Sequence, residues 1–84
     1  MSAERRAQQA QQILTNPLFK EAFAILEAHY KDKMLQTKPA DIEAREHLYR
    51  SCLVLSDVKS ALTAYIEQGK IEKSNAAKRE KARL

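Results

Sequence analysis

Eighty-four residues with a single cysteine allow one small domain and no disulfide within the chain, and so short a chain hides too little surface to be stable without staples or company. One glycine, two prolines and an abundance of Ala, Leu, Glu, Lys, Gln and Arg select helix throughout and exclude a sheet fold. The formal charge of +4 resides wholly in residues 70–84, where six basic side chains face two acidic ones, while residues 1–69 balance nine against nine.

No apolar run approaches the roughly 18–20 residues of a membrane helix. The opening Met1-Ser2-Ala3-Glu4-Arg5-Arg6 leads into glutamines and not into an apolar signal core. The expectation is a soluble, unprocessed protein of a reducing compartment, without a membrane partner.

Residues 3–14 carry a thin stripe of Ala3, Ala7, Ala10 and Leu14, with Ser2 placed as an N-cap. Alanine buries little area, so this short helix needs something to lean on. Thr15-Asn16-Pro17 is the clearest start signal in the chain: Asn16 caps, and Pro17 at the first helical position gives up only an amide that has no partner. The helix that follows runs to about residue 36 and buries Phe19, Ala22, Phe23, Leu26, Tyr30 and Met34, flanked by Leu18, Ile25 and Leu35.

Thr37-Lys38-Pro39-Ala40-Asp41 breaks the pattern, with Asp41 or Thr37 as the cap of the next helix. So short a connection predicts an antiparallel hairpin of helices at about 17–36 and 41–68. The second of these places Leu48, Cys52, Leu55, Val58, Leu62, Tyr65 and Ile66 on its main face, and Gly69 suits a left-handed C-cap. The fold class is therefore all-α: a hairpin, an additional N-terminal helix, and a basic C-terminal arm. Residues 1–69 form one helical domain and residues 70–84 a tail, helical or ordered on binding.

The 41–68 helix has more apolar circumference than a hairpin covers. Tyr49 and Leu53 lie on one flank and Val54 and Ala61 toward the other, so the arc exceeds the approximately 100° of a helix covered on one side. These four residues are the candidate protein interface, covered by the N-terminal helix, by a second copy, or by a different protein.

Signals for chemistry are sparse. His29 and His47 sit on different helices, and neither pairs with a carboxylate in the Glu-x-x-His spacing of a bundle metal site. Cys52 between Leu48 and Leu55 reads as a small packing residue and not a nucleophile. No Gly-rich phosphate loop or Ser-His-Asp set is present. The reading is a non-enzyme without cofactor or metal. Lys70, Lys73, Lys78, Arg79, Lys81 and Arg83 support phosphate contact, docking on an acidic protein, or simple solubility. The arm has no aromatic residue to stack on bases.

Four stretches carry a resemblance: Ile13 to Phe23 with its Asn16-Pro17-Leu18 start, Leu26 to Tyr30, Asp41 to Tyr49 with Ala44-Arg45-Glu46, and Tyr65 to Lys70. Over residues 3–70 the chain resembles a family of small helical accessory or virion-associated proteins encoded among the morphogenesis and packaging genes of tailed bacteriophages. The resemblance implies a phage assembly or packaging role in the virion or the host cytoplasm, exerted through protein–protein interaction as a homo-oligomer or with another phage structural or host protein. It supplies no catalytic residue. The competing readings are a nucleic-acid-binding packaging or regulatory factor using the basic arm, and a phage-encoded inhibitor of a host protein.

Overall fold

The computed structural model describes residues 2–83. Three helices, α1 (Ala3–Thr15), α2 (Pro17–Leu35) and α3 (Ile42–Arg83), hold its regular structure, and the described residues contain no strand. None of these helices is long and apolar enough to cross a membrane.

Each boundary has a local cause. Ser2 Oγ accepts the Arg5 amide at 3.1 Å and caps α1. Asn16 serves both neighbours: its amide bonds the Ile13 carbonyl to close α1, while Oδ1 accepts from Leu18 and Phe19 at 2.9 and 3.1 Å to open α2. Pro17 occupies the first turn, where the missing N–H costs nothing. One extended residue thus bends the chain without leaving an amide unsatisfied.

The α2–α3 turn is held from an unexpected direction. The Arg45 guanidinium reaches back to the carbonyls of Lys38 at 2.6 Å and Pro39 at 3.1 Å and to Thr37 Oγ1 at 3.3 Å. Neither Asp41 nor Thr37 caps α3 with its side chain. The Asp41 carboxylate accepts from the Lys38 amide at 3.1 Å, and Thr37 Oγ1 donates to the Met34 carbonyl at 2.7 Å.

The largest departure from the sequence expectation is the length of α3. It does not stop near residue 68; it runs through Gly69 to Arg83, 42 residues in all. Gly69 is not a C-cap, because no glycine has a positive φ. Residues 70–82 are mostly good helix formers with no proline or further glycine, so nothing halts the helix, and Ile71 is exposed on its surface.

Gly69 has a packing role instead. A Cβ at this position would overlap Ala7 Cβ and press on the Ala3 carbonyl oxygen at 3.3 Å. The alanine stripe of α1 therefore reaches α3 almost backbone to backbone, and Ala10, 2% exposed, is buried there with Gly69. Farther along, α2 meets α3 through larger side chains: Phe19 and Phe23 of α2 lie tilted against each other at 4.3 Å between centroids, and Lys59 Nζ of α3 is 5.4 Å from the Phe23 ring. Contacts pair high numbers on α3 with low numbers on the other helices: Arg45 with Thr37, Lys59 with Glu27, Gly69 with Ala7. α3 thus returns along both.

The covered stripe of α3 is a regular seam of alternating three- and four-residue steps: 45, 48, 52, 55, 59, 62, 66 and 69. Val58 and Tyr65, expected on the main face, stand outside it and are 41% and 42% exposed. Lys59 takes the seam position, since its aliphatic stem packs while the ammonium reaches the edge.

This packing makes little core. No large side chain among the described residues is fully buried. The molecule measures 68 × 25 × 17 Å, with a radius of gyration of 19.0 Å against about 12 Å for a compact chain of this length. It exposes 6905 Å², where a compact 9.6 kDa protein exposes about 5,100 Å².

Gly69→Ala tests the close approach. Overpacking costs about 1–3 kcal/mol against a helix-propensity gain of about 1 kcal/mol, so the variant should lose roughly 1 kcal/mol and melt lower by circular dichroism. Ala7→Gly in the same chain should recover part of the loss. A higher Tm for Gly69→Ala alone would place α1 elsewhere.

Candidate interaction surfaces

The histidines and the cysteine do not assemble a centre. His29 and His47 are exposed, His29 lying 5.8 Å from the Tyr30 ring, while Cys52 is half-buried in the α3 seam. Among the described residues no group of three or more His, Cys, Asp and Glu is placed to hold a metal ion.

One polar contact links distant parts of the chain. Lys59 Nζ donates to Glu27 Oε1 at 2.9 Å, between α3 and α2, beside the Phe23 face. The Lys59 hydrogen bond and charge hold the Glu27 carboxyl below its ordinary range, outweighing the opposing effect of desolvation, and Lys31 adds a lesser pull downward. Sequence reading missed this pair because Lys59 falls where an apolar residue is expected; the regular seam spacing was the available signal.

The four candidate interface residues divide between two surfaces. Tyr49 and Leu53, 56% and 45% exposed, each follow a seam residue by one position. Val54, 59% exposed, and Ala61, also exposed, each precede one. One residue is about 100° around a helix, so the pairs look out from opposite sides of α3. Ile42 joins the Tyr49 side at 61% exposure, and Val58 and Tyr65 join the other.

That second side is continuous with α1. Arg6, Gln9, Ala10 and Ile13 line one groove with Leu62 and Tyr65. Here 6, 9 and 13 precede the α1 stripe residues 7, 10 and 14, as 61 and 65 precede the seam residues 62 and 66. In an antiparallel pair the local two-fold keeps equivalent positions on the same side, so Leu18 and Leu26, which precede Phe19 and Glu27, belong to this side as well.

The basic end extends α3 as an exposed helix. Lys70, Lys73, Lys78, Arg79 and Lys81 are all exposed, and the Arg83 side chain lies outside the described residues. Lys70 pairs weakly with Glu67 at 3.4 Å. Gln68, Ile71, Asn75 and Arg79 share a shallow depression with Ala3, where α1 begins.

The Glu27–Lys59 pair gives a pH signature. Glu27 keeps its charge to lower pH when folded than when unfolded, so the pair's stabilisation is present above the ordinary glutamate range and is lost as pH falls through the folded-state value. Thermal melts of Glu27→Gln should therefore lie slightly below wild type at neutral pH and converge with it in acid; the gap is small because both side chains are partly exposed. A gap that widened in acid would contradict the assignment.

No family model, curated protein or solved structure matches this chain.

Proposed function

We propose that this chain is a small non-catalytic interaction protein, an antiparallel helical hairpin with an added N-terminal helix, that serves as an assembly or packaging accessory component of a tailed phage. The observation that supports binding is the imbalance between surface and core: among the described residues twelve large hydrophobic ones are exposed while no large side chain is fully buried. Each exposed apolar area that meets a partner gains about 25 cal/mol per Å². The phage role rests on the resemblance of residues 3–70 to morphogenesis and packaging proteins.

Ile42, Tyr49 and Leu53 are the contact offered to another component. Aromatic and branched anchors beside a rim of Glu46 and Arg50, paired with each other at 3.4 Å, have the make-up of an interface centre and edge. A photo-reactive residue placed at Tyr49 or Leu53 should yield one discrete adduct in cells assembling the phage, and the same residue at Asp57 should not. Tyr49→Ala should weaken that complex by about 2 kcal/mol. An adduct with a host protein would make the chain an inhibitor, and its absence from purified particles together with no adduct would defeat the interaction reading.

A second reading is favoured by the exposed helix of residues 70–83. Lys70, Lys73, Lys78, Arg79 and Lys81 are exposed along it and suit a nucleic-acid backbone. Under that reading, binding to duplex DNA falls steeply with salt and disappears on deleting residues 70–84. Equal binding by the truncated chain would remove it.

A further inference from the structure

We propose that a second copy of the chain covers the side of the hairpin bearing Ile13, Leu18, Val54, Val58, Ala61 and Tyr65, giving an antiparallel bundle four helices in cross-section. This rests on the interaction reading and names the partner for one of the two surfaces.

The first ground is a second seam on α3. Positions 44, 47, 51, 54, 58, 61, 65 and 68 repeat the three- and four-residue steps of the covered seam, displaced by one residue. They hold Ala, His, Ser, Val, Val, Ala, Tyr and Gln, with no Asp, Glu, Lys or Arg over this length. All are exposed except the half-covered Ser51. A helix with two adjacent seams is patterned for two helix neighbours, and the hairpin supplies one.

The second ground is self-complementarity. An isologous pair sets each residue against its symmetry mate's surroundings, so a seam must match itself when reversed. A two-fold axis between Val58 and Ala61 sets Val58 against the partner's Ala61 and Val54 against the partner's Tyr65, large against small at the centre. Moving outward, Ser51 meets the partner's Gln68, and His47 meets the partner's Glu72. Apolar pairs fall at the middle and polar pairs at the ends, as in a stable interface. Residues 1–69 are neutral overall, so two copies meet there without net repulsion.

The third ground is area. The chain exposes 6905 Å², about 1,800 Å² beyond a compact protein of its mass, while a standard interface covers about 800 Å² on each partner. One surface of the hairpin is enough, which leaves Ile42, Tyr49 and Leu53 open for another component.

Sedimentation equilibrium of the full chain decides the matter, with helicity followed by circular dichroism. The expected mass is twice the 9.6 kDa of one chain. Val58→Lys and Ala61→Glu should each weaken self-association about a hundredfold or more by burying an unpaired charge. Leu53→Lys should leave it unchanged. As a measurement independent of folding, Val58→Cys in a Cys52→Ser background should form disulfide-linked dimers on mild oxidation, and Asp57→Cys should not. A wild-type monomer, dimers that survive both seam substitutions, or dimers lost only with Leu53→Lys would each overturn the proposal. A monomer that still gave the Tyr49 cross-link would overturn the pairing alone and leave the interaction reading standing.

Discussion

The close passage of α1 over Gly69 is the contact on which the rest of the molecule depends. Three alanines offer little area, and a helix of α1's length is marginal in water unless it packs. Removing the side chain at position 69 lets Ala3 and Ala7 approach the α3 backbone, where many short-range contacts replace bulky burial. Ala10 is buried at the same junction. With α1 fixed there, Ile13 and Tyr65 come to line one groove, and the surface that continues along Val58 and Val54 exists at all.

Polar groups set the geometry that apolar burial is too sparse to set. Asn16 satisfies amides on both of its sides and bends the chain, and Arg45 gathers three oxygens of the α2–α3 turn. Lys59 then ties α3 to α2 at Glu27 while its ammonium lies over the Phe23 ring. These bonds are mostly exposed and individually modest. Their effect is directional: they fix where the helices start, turn and register, so that one seam of α3 is covered and its neighbours are left outside.

The result is a rod 68 Å long with a radius of gyration of 19.0 Å, against about 12 Å for a compact chain of this length, with two apolar sides and a basic end. Such a shape suits a protein whose burial is completed by others. The sides differ in character: one continues onto α1 and carries no formal charge on α3 between Ala44 and Gln68, while the Tyr49–Leu53 side is bordered by Glu46 and Arg50. That difference suits the first to a like partner and the second to an unlike one.

The sequence by itself determined the helical class, the Asn16-Pro17 restart and the turn at residues 37–41, because caps, prolines and propensities act within a few residues of themselves. It also marked residues 41–68 as carrying apolar side chains around more than one face. Only the tertiary structure decided that Gly69 sits inside a helix against Ala7, that Lys59 and not Val58 occupies the seam, and that Tyr49 and Val54 face apart. A glycine reads locally as a stop, and a lysine reads locally as surface; each acquires its role here from a helix tens of residues away in the chain, and no local pattern encodes that distance.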